Sequence, residues 1–280
     1  MKKVLITFIV VIMLLLSCSL ASEAEGNIII LDDFTGTIQE TDPGKPYKPE
    51  HLSEVGKTVI GLDNREIITD PDLYPFSAIA YMDVTSSCSH DGWYGSGFMI
   101  GSNLLLTAGH CVFCPECHAP AQEISFYFGY INERNYLACN RGSNWSVYVP
   151  RQVAEGKDYN MCDYAIFQLN EDIGEKTGYF SMRYDIPDDE LTGLVCHVTG
   201  YRDGILKHDM EKVNPQNKWY LVHYADMEPG NSGCPVYDED NYVIAINSAE
   251  AEDGAQNYAV RITADIYGQI EKYGKRQRNP

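Results

Sequence analysis

The sequence predicts an all-β protein, and three observations carry that reading. Short apolar or alternating segments recur along most of the chain, turn signals separate them, and helical periodicity is confined to one stretch near the C-terminus. In chain order the predicted strands are residues 77–82, 97–100, 103–107, 123–130, 163–169, 194–199, 218–224, 235–237 and 242–247. Asp203-Gly204 and Asp238-Glu239-Asp240-Asn241 supply turns between later members of the series. The helical stretch places Ile262, Ile266 and Ile270 four residues apart, with Thr263 and Asp265 at its start and Lys272, Gly274 and Lys275 at its end. Strands without intervening helices form a barrel or sandwich, not a doubly wound α/β sheet.

The 280 residues suffice for one large domain or two modest ones. Residues 1–21 have the layout of a secretory signal: Lys2 and Lys3, an apolar stretch over 4–16, then a small-x-small site at Ser19-Leu20-Ala21. Leu15-Leu16-Ser17-Cys18 competes as a bacterial lipobox that leaves a lipid anchor on Cys18. The chain is therefore expected outside the cell, or lipid-anchored at its surface, with no membrane span. Residues 22–57 contain one apolar run, 28–31, and then a stretch broken by Pro43, Gly44, Pro46 and Pro49, which reads as a pro-segment or linker.

Nine cysteines become eight once Cys18 leaves with the signal, and an even number in an exported protein predicts up to four disulfides. Cys114-Pro115-Glu116-Cys117-His118 has the spacing of half a zinc site, but no second CxxC or HxxxH follows it, so a loop disulfide is expected there. No metal and no cofactor are expected. A net charge of −19 argues against nucleic acid and anionic membranes as partners.

Three segments carry chemistry: Thr107-Ala108-Gly109-His110-Cys111, Asp163 at the head of the apolar run 163–169, and Gly230-Asn231-Ser232-Gly233. A serine hydroxyl is a poor nucleophile at neutral pH; it needs a base to take its proton and a third group to fix that base's tautomer. Ser232, His110 and Asp163 supply one of each, with Asp158 the rival acid and His51, His90, His118, His197, His208 and His223 read as surface or structural. Gly230 lets the backbone turn so that its own N–H and that of Ser232 converge on a developing oxyanion. An α/β-hydrolase has its histidine after the nucleophile, yet none follows Ser232; a subtilisin-like chain has its acid before the histidine and alternates strands with helices.

The order histidine, aspartate, serine resembles the trypsin-like serine proteases, in their glutamyl-endopeptidase (V8-like) branch. Thr58-Val59-Ile60-Gly61, Tyr74-Pro75-Phe76-Ser77-Ala78-Ile79, Gly97-Phe98-Met99-Ile100-Gly101, Thr177-Gly178-Tyr179-Phe180 and Val198-Thr199-Gly200-Tyr201 extend the likeness over about residues 58–270. The resemblance implies two packed six-stranded antiparallel β-barrels with the triad in the cleft between them. An N-terminal barrel over 58–175 would carry His110 and Asp163, and a C-terminal barrel over 176–280 would carry Ser232 and the C-terminal helix. It further implies a monomeric secreted serine endopeptidase, a zymogen acting on protein or peptide substrates through an acyl-enzyme. The Gly230 and Ser232 N–H groups form the oxyanion hole, and a disulfide joins Cys88 to Cys111. The alternative is a non-catalytic binding domain on the same fold, and a narrower one is a protein esterase. Cleavage after Lys57 would free Thr58, but Asn231 cannot form the ion pair by which a new N-terminus activates chymotrypsin-like zymogens. The S1 positions of the branch fall on Met227 and Asn247, which do not suit strict glutamate preference, while Glu250, Glu252 and Asp253 offer acids to a basic residue.

Overall fold

The computed structural model describes residues 27–31, 59–60, 63–157, 160–251 and 254–274. Its strands are β1 (Asn27–Leu31), β2 (Glu66–Ile67), β3 (Ile79–Ser86), β4 (Trp93–Met99), β5 (Leu104–Thr107), β6 (Ala121–Phe128), β7 (Ala138–Asn140), β8 (Trp145–Pro150), β9 (Ala165–Leu169), β10 (Ser181–Met182), β11 (Val195–Arg202), β12 (Ile205–Pro215), β13 (Tyr220–His223), β14 (Pro235–Tyr237), β15 (Tyr242–Glu250) and β16 (Asn257–Arg261). All of the predicted strands form. The chain also makes strands that apolar pattern did not mark, notably β8, β12 and β16.

The strands divide into two sheets. The first is curled, in the order β1-β8-β9-β5-β4-β3-β6-β7. In the second, β11-β12-β13-β16-β15-β14 closes into a six-stranded ring because β14 pairs with β11 as well as with β15. Closure removes the unpaired edges that an open sheet exposes. The expected all-β, two-barrel architecture is thus what the chain adopts, with full closure in the C-terminal unit.

Each sheet turns one face inward. Phe98, Phe126, Phe128 and Phe167 fill the first, where Phe126 and Trp145 meet Phe167 edge-on at 4.9 and 5.2 Å. Val198, Val213, Leu221, Val236, Ile244 and Ala259 fill the second. Burying one such aliphatic or aromatic side chain contributes roughly 1.5–3 kcal/mol, which makes these interiors the main source of stability.

Ser96 of β4 joins the two units. Its N–H bonds the Ser232 carbonyl at 2.8 Å, its hydroxyl donates to the Gly230 carbonyl at 2.8 Å, and it accepts the Tyr201 N–H at 2.9 Å. The predicted C-terminal helix runs over Ala264–Gly274 and buries Ile266, Ile270 and Tyr273, with Tyr273 stacked on Tyr148 of β8 at 4.5 Å. Thr263 Oγ1 accepts the Ile266 N–H at 3.3 Å and caps its first turn. The helix thereby straps the end of the second unit to the first. Among the described residues no helix is long and apolar enough to cross a membrane.

The apolar run 28–31 lies inside the stretch expected to be a pro-segment, and it forms β1, parallel to β8 with Ile28 opposite Val147. The signal stretch, Cys18, Lys57, Thr58, Asp158, Glu252 and Asp253 lie outside the described residues.

The disulfide expectation needs correction. All eight described cysteines are free thiols, and the implied Cys88–Cys111 bridge is not formed. The turn between β3 and β4 carries Cys88 to the loop after the histidine, where its sulfur lies with His90, Cys114 and Cys117. Cys111 instead faces the Ser232 carbonyl, 3.9 Å away. Cys196 and Cys234 are fully buried, and burial pushes both thiols up, Cys196 to about 12, so they behave as small apolar residues.

Candidate active site

β5 and β9 pair antiparallel with Thr107 opposite Ala165, which sets the residues just after β5 beside those just before β9. The chain then makes a 3-10 turn over Gly109–Val112 that presents His110. Gly109 permits the approach: a Cβ there would lie 2.8 Å from the Tyr164 carbonyl and 2.9 Å from a Val153 methyl. Asp163 is 1% exposed. Its Oδ1 accepts the His110 backbone N–H at 2.8 Å, and its Oδ2 lies 2.7 Å from His110 Nδ1. The Ser248 hydroxyl also donates to Oδ2. A carboxylate oxygen only accepts, so Nδ1 carries the proton and the Nε2 lone pair is left for another donor.

The electrostatics follow from this pairing. Burial alone would lower the His110 pKa, but the Asp163 charge outweighs it and holds the imidazole well above its usual 6.5. Burial would raise the Asp163 pKa, yet the His110 charge and the hydrogen bonds from His110 and Ser248 hold it below the ordinary carboxylate value. The pair is built to stabilise an imidazolium.

Ser232 sits in a tight loop whose glycines are sterically required. Gly230 has φ of 101°, and a Cβ on it would lie 2.8 Å from both the Tyr201 carbonyl and the Tyr94 ring. Gly233 has φ of 83°, with a Cβ falling 2.1 Å from Thr107 Oγ1. Arg202 donates to the Pro229 carbonyl at 3.0 Å and to the Tyr94 hydroxyl at 2.9 Å, clamping the loop's entry. Asn231 is buried and braced: its Oδ1 accepts the Glu228 N–H at 2.8 Å, and its Nδ2 donates to the Tyr201 carbonyl at 3.3 Å. The N–H groups of Gly230 and Ser232 have no partner among the described residues, whereas those of Asn231, Gly233 and Cys234 are all bonded. The Ser232 hydroxyl donates to the Ser248 carbonyl at 3.4 Å, and its bond to His110 is not formed. Nucleophile–base contacts are commonly loose without substrate and tighten when it binds.

The crowding at Gly233 predicts a large stability loss. Gly233→Ala should destabilise by more than about 2 kcal/mol, since it adds overpacking to backbone strain. Gly193→Ala, at φ of 77° with nothing within 4 Å, should lose only about 1–2 kcal/mol. Thermal unfolding of both variants checks the difference.

Met227 and Asn247 are both buried, beside the loop of Ser232. The Asn247 amide is turned inward, with Oδ1 3.0 Å from His223 Nε2 and Nδ2 donating to the Asn231 carbonyl at 3.2 Å. His223 is wholly buried, its Nδ1 finds no partner among the described residues, and burial pushes its pKa down to about 4. It is therefore neutral at pH 7 and donates from Nε2. The unfolded chain binds the proton near pH 6.5 and the folded chain only near 4, so stability falls as pH drops across that window. The loss should reach about 3 kcal/mol by pH 4, with half-buried His197 and His208, both pushed down by desolvation, adding in the same direction. Urea unfolding at stepped pH reads this, and His223→Gln should flatten the slope; an unchanged slope would reject the assignment.

Residues following the expected processing point are anchored beside the same loop. Buried Asp226 accepts the N–H groups of Ile60 at 2.7 Å and Asn64 at 3.3 Å. Arg65 lies between Asp63 at 2.8 Å and Glu228 at 2.5 Å, and Lys207 joins Glu228 at 3.1 Å. Of the residues singled out in the sequence, His110 and Asp163 are in direct contact and Ser232 is linked to them through Ser248. Ser248 itself carried no sequence signal beyond its place next to Asn247, and Asp226 had none.

Comparisons with known proteins place the chain in a family. A family model described as a trypsin-like peptidase domain matches residues 95–246, a span that includes His110, Asp163 and Ser232. A glutamyl endopeptidase of Bacillus licheniformis is 26% identical over 256 residues, covering 85% of this chain and 76% of that protein. An extracellular metalloprotease of Bacillus subtilis is 26% identical over 224 residues, covering 76% and 69%. Among solved structures, a Glu endopeptidase superposes with a TM-score of 0.66 at 24% identity, covering 78% of this chain and all of that one. The matched family, a fold of two packed β-barrel units and the convergence of these segments at their seam lead to one conclusion: this chain belongs to the trypsin-like peptidase family and is a serine endopeptidase.

Proposed function

We propose that the chain is an exported endopeptidase in which Ser232 attacks the peptide carbonyl, His110 takes and returns the proton, and Asp163 holds His110 in the productive tautomer. The observation that carries this reading is the Asp163 carboxylate, buried and bonded to both the backbone N–H and Nδ1 of His110. That arrangement leaves the Nε2 lone pair free to act as a base. The unpaired N–H groups of Gly230 and Ser232 receive the oxyanion of the tetrahedral intermediate. Water then enters on the leaving-group side and clears the acyl-enzyme by the same proton route. Parallel pairing of β1 with β8 supports a pro-segment that assists folding, and the bonds from Ile60, Asn64 and Arg65 to Asp226 and Glu228 support processing upstream of residue 60.

Strict glutamate preference does not follow. The relatives named for it share only about a quarter of this chain's residues, and here Asn247 spends its amide on His223 and Asn231. His223 is neutral and Met227 is apolar, so neither offers a cation to a carboxylate. Digestion of a peptide library by the processed protein, with Ser232→Ala as blank, tests both points. Cuts spread over apolar and mixed residues are expected. Cuts confined to glutamate would overturn the pocket reading, and no cuts would overturn the peptidase reading.

A further inference from the structure

Cys88, His90, Cys114 and Cys117 converge outside the catalytic cleft, and their ligand atoms all lie within 4.8 Å of one another. His90 Nδ1 is 3.4 Å from the Cys88 sulfur and 3.4 Å from the Cys114 sulfur. Zinc bonds of about 2.3 Å to sulfur and 2.0–2.1 Å to nitrogen, set tetrahedrally, require S···N edges of about 3.5 Å. The two His90–thiol edges therefore already match a metal's coordination shell, and the other separations are short enough to close around an ion. A disulfide account fits less well. Three cysteines leave one unpaired, and the imidazole lodged between two of them would have no part in a bridge.

We propose that these four residues bind one zinc ion as a closed structural site. Three thiolates and one imidazole complete a tetrahedron, leaving no open position for water, so the metal takes no part in hydrolysis. On binding, zinc replaces the three thiol protons, which pass to solvent, while His90 ligates as a neutral ring through Nδ1. The outer contacts suit that state. His90 Nε2 lies 3.2 Å from a Glu116 carboxylate oxygen, which fixes the tautomer and strengthens the ring as a ligand. The Ser86 hydroxyl lies 2.8 Å from the Cys88 sulfur. The 114–119 loop is tightly turned, with Cys114 N–H bonded to the Ala119 carbonyl at 2.7 Å and His118 N–H to the Cys114 carbonyl at 2.9 Å.

His118 is not a ligand. Its ring stacks on Phe113 at 4.6 Å, and its Nε2 lies 2.9 Å from the Val153 carbonyl. The CxxC half of the site was visible in sequence. Its other half lies upstream, as Cys88-x-His90 in the β3–β4 turn, where a search downstream of Cys117 does not reach. The ion would clip that turn to the loop that leaves the His110 turn, fixing the path of the backbone there. Binding itself does not depend on the peptidase reading.

The test is the metal content of the purified full-length chain, measured by mass spectrometry after exhaustive gel filtration. One zinc per chain is expected, with Cys88, Cys114 and Cys117 protected from alkylation until a chelator is added. Cobalt substitution should give the visible spectrum of a tetrahedral thiolate site. Cys117→Ser and His90→Ala should lose the metal, His118→Ala should keep it, and Glu116→Gln should weaken it about tenfold. Should the ligand variants fail to fold, the wild-type stoichiometry, alkylation pattern and His118→Ala still decide. Metal-free wild type with a mapped disulfide among Cys88, Cys114 and Cys117 would overturn the proposal, as would loss of zinc from His118→Ala. None of these readouts needs an active enzyme.

Discussion

Ser232→Ala should lower kcat by about a millionfold while leaving KM within a few-fold of its original value. The hydroxyl is the atom that forms the acyl bond, so its removal eliminates the covalent route outright. Substrate binding uses surfaces this change leaves intact. The loop should keep its shape, because Ser232 is held through its backbone carbonyl by Ser96 and through Asn231 and Gly233 on either side. What remains should be the roughly thousand- to ten-thousandfold advantage over water that binding and oxyanion stabilisation supply. Steady-state kinetics on a peptide cleaved by the wild type, with unfolding curves as control, measures it. A folded variant retaining a tenth of wild-type kcat would exclude Ser232 as the nucleophile.

Asp163→Asn should cost about ten-thousandfold in kcat. The asparagine amide offers a donor where Oδ2 accepted, so His110 would turn its Nδ1 lone pair toward residue 163 and carry its proton on Nε2, facing the serine. A protonated Nε2 cannot act as base. The substitution also removes the negative charge that holds the imidazole pKa up. Wild-type activity requires neutral His110, so kcat/KM should rise with pH through a limb lying above 6.5, the value from which the pKa is raised. In Asp163→Asn that limb should move to lower pH. A merely structural aspartate would reduce stability without moving the limb. Ser248→Ala should cost far less in kcat than Asp163→Asn, because it removes one hydrogen bond to the carboxylate and leaves the charge beside His110.

The residues that read clearly in sequence are those whose local pattern and physical role coincide. β3, β5, β9 and β15 are buried on one or both faces and show it as apolar runs, and the C-terminal helix shows its buried stripe at four-residue spacing. His110 and Ser232 carry a local signal because glycines must stand beside them, and Asp163 carries one because an apolar run follows it. Strands β12 and β16 were hidden because their inward positions are often polar. Asp209 in β12 accepts the Asp226 N–H at 2.7 Å, and Arg261 in β16 bonds the Asn217 and Ile186 carbonyls, both at 2.7 Å. Such residues are buried because distant groups satisfy them, and pairings across the fold leave no periodicity. Ser248 and Asp226 escaped notice for the same reason, while His223, read as surface or structural, is buried. The cysteines misled in the opposite direction: an even count suggested bridges, while the fold brings three thiols and a histidine from separate turns into one cluster.

The proposed chemistry rests on Ser232 being a nucleophile activated by His110. Covalent labelling of the folded, processed protein with a serine-directed fluorophosphonate tests it most directly. One phosphonyl group per chain is expected, mapped to the peptide containing Ser232. Labelling should accelerate as pH rises through the His110 limb and be absent in Ser232→Ala and His110→Ala. A folded, processed protein that takes up no label, or carries it on a serine other than Ser232, would rule out Ser232 as the activated nucleophile.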